Sequence, residues 1–169
     1  MKSRVPTQRG FRLVKAAMLA TDVTFLLYWT ASLLVLIPPA YAYKDYDDPV
    51  MSDWNYSFLP LDVAASATGL AALVLVRGRC TRRLARHRPL WRPLMLISLT
   101  LTSTAGLQAV VFWALRGDWS PTWWIPNLFL LLFPLPSIAL LLRHDVGPGT
   151  GGGAGVPQTS DAVRIQSGR

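Results

Sequence analysis

Residues 58–76, FLPLDVAASATGLAALVLV, form an apolar and small-residue run broken by a single carboxylate, Asp62, near its start. At about 1.5 Å per residue, a helix of this length is roughly 30 Å long, the thickness of a bilayer's hydrocarbon core. The run therefore reads as a membrane-spanning helix. Working outward, three more runs have the same character, at about 16–37, 94–115 and 124–142. The fold expected is all-α: an integral membrane four-helix bundle spanning 16–142, preceded by a basic segment at 1–15 and followed by a Gly-rich tail at 143–169. The tail, GPGTGGGAGVPQTSDAVRIQSGR from Gly147 onward, has no apolar period and is expected to be disordered and cytoplasmic.

Composition agrees, since 51% of the residues are hydrophobic and only 15% charged, far from a soluble domain's mix. The net charge of +8 is confined to short segments between the apolar runs. Lys2, Arg4, Arg9, Arg12 and Lys15 precede the first run, and seven arginines from Arg77 to Arg92 separate the second from the third. The intervening loops carry Lys44 against Asp45, Asp47, Asp48 and Asp53, and then Arg116 and Asp118. By the positive-inside rule both termini lie in the cytoplasm, N-in and C-in. The Arg77 to Arg92 loop is a topology determinant able to touch anionic lipid headgroups, and nucleic acid is not an expected partner. Ala40-Tyr41-Ala42 resembles a signal-peptidase site, but the preceding run is longer than a signal peptide's 7 to 15 residues and holds Asp22, so cleavage is not expected.

Metal and redox chemistry find little support. The single cysteine, Cys80, has no partner for an intramolecular disulfide, and no Cys/His cluster has zinc spacing. Asp45, Asp47 and Asp48 lack the glycine and terminal glutamate of a calcium loop. No cofactor is expected.

The carboxylates inside the runs need a reason. In the stretch WNYSFLPLD, residues 54–62, Trp54 and Tyr56 suit a membrane interface and Pro60 suits a first helical turn with Asn55 or Ser57 as its cap. Asp62 is left over, about 6 Å inside the outer edge. Asp22 poses the same problem from the inner side. A carboxylate at a helix centre costs about 2.5 to 3.5 kcal/mol on insertion scales, so each is expected to be neutral, wet in a cavity, or facing a cation. Depth offers Thr68, Thr100, Ser103 and Thr104 as company for Asp22, and Ser32, Gln108 and Asn127 for Asp62. Asp22, Phe25, Trp29 and Ser32 recur at helical spacing and form one stripe, expected to face the bundle. Pro126, Pro134 and Pro136 should kink the last helix.

The stretches DVTFLLYW (22–29), KDYDDPVMSDW (44–54) and NYSFLPLD (55–62) resemble the YvaD-like bacterial membrane proteins, over roughly the first half of the chain. That resemblance implies a compact four-helix membrane fold and marks Asp22, Tyr28, Trp29, Trp54, Asn55, Phe58, Pro60 and Asp62 as signature positions. It brings no mechanism. Three classes of function fit the residues. A binding or transport-like bundle would offer a proton, a cation or an amine-bearing lipophile a polar pocket built from Asp22, Trp29, Trp54, Asn55, Asp62, Gln108 and Asn127. An intramembrane enzyme would use Asp22 or Asp62 as a general acid or base, without a recognisable catalytic motif. A scaffold or small subunit would use them only for interhelical hydrogen bonds.

Overall fold

A computed structural model describes residues 8–77 and 85–143, and every regular element among them is helical. The tail from residue 144 on, Cys80 and residues 78–84 of the arginine-rich loop lie outside the described residues. Helix α1 spans Gln8–Leu33, α2 Pro39–Ala42, α3 Pro49–Tyr56 and α4 Phe58–Arg77. A 3-10 turn at Arg88–Leu90 leads into α5, Trp91–Leu115, followed by α6, Pro121–Leu132, and α7, Pro134–Arg143. Among the described residues, three helical stretches are long and apolar enough to cross a membrane: Pro49–Arg77, Arg88–Leu115 and Pro121–Leu142.

The helix ends follow local chemistry. The start of the second apolar helix lies well before Phe58: α3 begins at Pro49, Asp48 caps it by accepting the Val50 N–H at 2.9 Å, and only Ser57 separates it from α4. Neither Asn55 nor Ser57 is the cap expected from sequence; the Ser57 hydroxyl donates instead to the Trp54 carbonyl at 2.6 Å. The first helix stops before Pro38. Val35 takes a left-handed conformation (φ 54°), and the amides of Val35 and Leu36 bond back to the Ser32 and Ala31 carbonyls. α5 ends the same way at Gly117 (φ 68°), where the Gly117 and Asp118 amides reach the Ala114 and Trp113 carbonyls. Both are Schellman endings, one with the usual glycine and one with a β-branched residue. The last helix is interrupted at Phe133, immediately before Pro134: Phe133 keeps helical dihedrals and its amide still reaches the Phe129 carbonyl at 3.0 Å, but Pro134 has no N–H to continue the ladder.

Packing runs from α1 to α4, from α4 to α5, and from α5 to α6 and α7. The α4 face that is buried carries Ala65, Ser66, Gly69 and Ala72, and the α5 face Ser98, Thr102, Ala105, Gly106 and Ala109. Small residues at three-to-four-residue spacing let helix backbones approach closely, which matters where lipid removes any hydrophobic drive for helices to associate. At Gly106 an added Cβ would lie 2.7 Å from the Asn127 carbonyl oxygen and 2.8 Å from the Leu130 carbonyl carbon, so α6 rests directly on the α5 backbone. Larger side chains gather at the two ends. One cluster centres on Met18, Leu73, Met95, Leu99 and Leu141, the other on Met51, Ala109 and Trp113 with Trp54, Phe58 and Trp123 around them.

Candidate functional site

The end of the molecule that carries Lys44 and Asp118, termed here the upper end, contains a cavity of about 260 Å³. α1 contributes Thr24, Phe25, Tyr28 and Trp29; the loop after α2 contributes Tyr43 and Lys44; α3 and α4 contribute Met51, Trp54, Asn55, Phe58 and Asp62. Ala105, Ala109 and Trp113 of α5 form another wall, and Thr122, Trp123, Pro126, Asn127 and Leu130 of α6 complete it. Five of the seven residues singled out from sequence therefore meet here: Trp29, Trp54, Asn55, Asp62 and Asn127.

Asp62 is 7% exposed and comes from the second turn of α4. Its Oδ2 accepts the Trp29 indole N–H at 2.8 Å, a bond between α1 and α4. Its Oδ1 has no hydrogen-bond partner, and neither has the buried Asn55 Nδ2. Two residues that line the cavity thus each keep one buried polar atom unmet, an acceptor on Asp62 and a donor on Asn55. A buried polar atom left in that state costs about 1–3 kcal/mol, which a guest with the complementary groups would remove. The rest of the wall is largely aromatic. Trp54 stacks on Phe112 with centroids 3.8 Å apart, Trp113 stacks on Trp123 at 6.0 Å, and Trp29 lies edge-on to Tyr28 at 5.0 Å. Such π-faces attract cations. The Tyr28 hydroxyl donates to the Ala42 carbonyl at 2.9 Å and anchors the loop above, while Asn127 Nδ2 donates to the Trp123 carbonyl of its own helix at 2.7 Å.

Lys44 closes the top. Its ammonium pairs with Asp118 across the two upper loops and sits 5.5 Å from the Trp113 ring centre. The ending of α5 at Gly117 is what carries the chain round to present Asp118 there. Sequence reading counted Lys44 only as a loop charge; that it would reach the aromatic wall depends on the fold of residues 34–48.

Two of the seven residues lie elsewhere. Gln108 is exposed on α5, on a flank shared with Thr104, Leu107 and Val111, because the buried face of that helix runs through Ala105, Ala109 and Trp113. Asp22 is 1% exposed but does not line the cavity. Trp29, which meets Asp62, is two turns along α1 from Asp22, about 10 Å by helical rise. Asp22 is pressed instead against Gly69 of α4, so closely that any Cβ there would collide with its Oδ2 and lie 2.6 Å from Ser98 Oγ. The Ser66 hydroxyl donates to the Asp22 backbone carbonyl at 3.2 Å, and Asp22 Oδ2 has no hydrogen-bond partner. The companions expected for Asp22 are engaged elsewhere. Thr68 and Thr104 bond to their own helix backbones, Thr100 is exposed, and Ser103 donates to Leu131. Gly69, Ser66 and Ser98 take their place. The signal that would have found them is the small-residue spacing on α4 and α5, read as helix contact rather than as a list of polar groups.

No solved structure matches the chain. The uncharacterized protein YvaD of Bacillus subtilis (strain 168) is 43% identical over 133 residues, covering 79% of this chain and 94% of that protein. The likeness thus extends well past the first-half motifs. The model of a family of unknown function, DUF5360, matches residues 14–147, and the chain belongs to that family.

Proposed function

We propose that this is a multi-pass protein of the bacterial cell membrane, a four-helix bundle with both ends in the cytoplasm, that binds the amine of a small amphiphile in the upper cavity. The positive segments before α1 and between α4 and α5 support the orientation, with Lys44 and Asp118 on the outer side and the Arg77 to Arg92 loop against anionic headgroups. One observation carries the binding reading: Asp62, 93% buried and lining the cavity, is held at Oδ2 by Trp29 while its Oδ1 has no protein donor. An acceptor in that position selects a group that brings a hydrogen and a positive charge, which a primary or secondary ammonium does and a quaternary one does not. The Asn55 amide supplies the complementary donor, for a hydroxyl or ester oxygen beside the amine. Aromatic faces around the site favour the charge. Asp22, walled in by α4 and α5, serves helix association in this reading.

The test compares wild type with Asp62→Asn, a nearly isosteric change, by thermal unfolding in detergent micelles with dodecylamine. A ligand at a hundredfold excess over its Kd stabilises the native state by about 2.7 kcal/mol, so wild type should show a raised Tm and Asp62→Asn none. Dodecyltrimethylammonium, with no N–H, should shift wild type less than dodecylamine. Equal responses of the two proteins to dodecylamine would reduce Asp62 to an element of helix packing.

A further inference from the structure

The cavity is shut above and open at its side. Above it, Met51 is 3% exposed and Tyr43 8%, and the Lys44 to Asp118 pair spans the two loops. Tyr43 is itself held by a 3.0 Å hydrogen bond to Ser52 and by the edge of Tyr56. A cation arriving from that side would also meet the like charge of Lys44. At the side, two lining residues are exposed: Thr24 on α1 and Pro126 on α6. These helices stand on either flank of the cavity, and they are not among the closely packed pairs, which run α1–α4–α5–α6. Around the gap the surface is apolar, with Ile125 68% and Phe129 51% exposed, as a lipid-facing flank would be. The volume adds a constraint. At about 260 Å³ the cavity falls below the roughly 300–1,000 Å³ of sites that enclose a whole small molecule, so it takes a head and leaves the remainder outside.

We infer that the cavity is filled from the bilayer, through the window between α1 and α6, by a single-chain amphiphile whose primary ammonium reaches Asp62 while its alkyl chain stays in the lipid. This rests on the reading of Asp62 as an amine site and adds the route and the class of guest. Thr24 and Pro126 form the sill, at a depth where water is scarce and an alkyl chain is at home. The Lys44 to Asp118 clasp keeps soluble amines out, so chain length as well as charge selects the guest.

The experiment uses the full chain in nanodiscs, with dodecylamine and propylamine as probes and stopped-flow fluorescence of the cavity tryptophans as readout. Thr24→Phe narrows the window from an exposed position that folding should tolerate. Leu27→Phe, one turn away and outside the cavity wall, controls for an added ring on the same helix. For dodecylamine, Thr24→Phe should slow association and dissociation alike by about tenfold with Kd unchanged, since a narrowed passage alters both rates equally. Leu27→Phe should keep the wild-type rates, and association should follow the mole fraction of amine in the lipid rather than its bulk concentration. Wild-type rates in Thr24→Phe together with faster association in Lys44→Ala would route the guest through the upper loops and overturn the window alone. Absence of any response to either amine in wild type would instead remove the amine site itself, and the window with it.

Discussion

Asp22 and Asp62 are the same residue type, both buried and both in apolar helices, yet they occupy opposite kinds of place. Around Asp22 the protein closes in: the glycine backbone of α4 touches its carboxyl, Ser98 approaches from α5, and the upper cavity does not extend to it. Around Asp62 the protein holds back, with one oxygen tied to Trp29, the other left without a partner, and an aromatic hollow beside the residue. A buried carboxylate is therefore not a functional signal by itself. What separates a fastening from a binding group is the space beside it, and that space is set by neighbours on other helices: Gly69 and Ser66 in one case, Ala105 and Ala109 in the other.

The contrast can be broken most severely at Gly69. Gly69→Ala places a methyl group into Asp22 Oδ2 and Ser98 Oγ, and the overpacking should cost about 1–3 kcal/mol, read by denaturant unfolding in mixed micelles. A neutral Gly69→Ala would mean that the helices part easily and that Asp22 is no fastening. A smaller effect is expected at the carboxylates. Asp22→Asn sets an amide in a pocket without room to rearrange and should lose about 1–2 kcal/mol, whereas Asp62→Asn, with free volume beside it, should lose less than about 0.5 kcal/mol by the same measurement. Equal losses would erase the distinction between the two sites. A comparably small effect belongs to the clasp above the cavity. Lys44→Ala should change stability by about 0–1 kcal/mol, as for other partly exposed ion pairs, and 1 M salt should shrink the difference from wild type. A large, salt-insensitive loss would show that Lys44 acts through its packing on Trp113.

Much of this arrangement could be read from the chain because lipid imposes long apolar runs and interfacial tryptophans. The stripe of Asp22, Phe25, Trp29 and Ser32 gave the inward face of α1, and the signature WNYSFLPLD brought Trp54, Asn55 and Asp62 to one wall of the cavity. Asn127 was reachable by depth. Depth failed for Gln108 and for the threonines because it says nothing about rotation around the helix axis, and the α5 face is chosen by Gly106 meeting the α6 backbone. The cap at Asp48 was missed for a different reason: the polar residues of α3 hide a helix that continues the apolar one. Lys44 could not be placed at all without the turns on either side of it.

Val35 has a use outside the cavity and the crossing. A β-branched residue at the left-handed ending of α1 holds strain of about 1–3 kcal/mol, and its side chain is 70% exposed, so little packing would be lost with it. Glycine takes that conformation freely. The chain thus carries an unspent reserve of stability at a surface position remote from both carboxylates. A protein worked on in detergent seldom has margin to lose, and Val35→Gly would supply a sturdier background in which variants that weaken the helix crossing remain folded long enough to be compared.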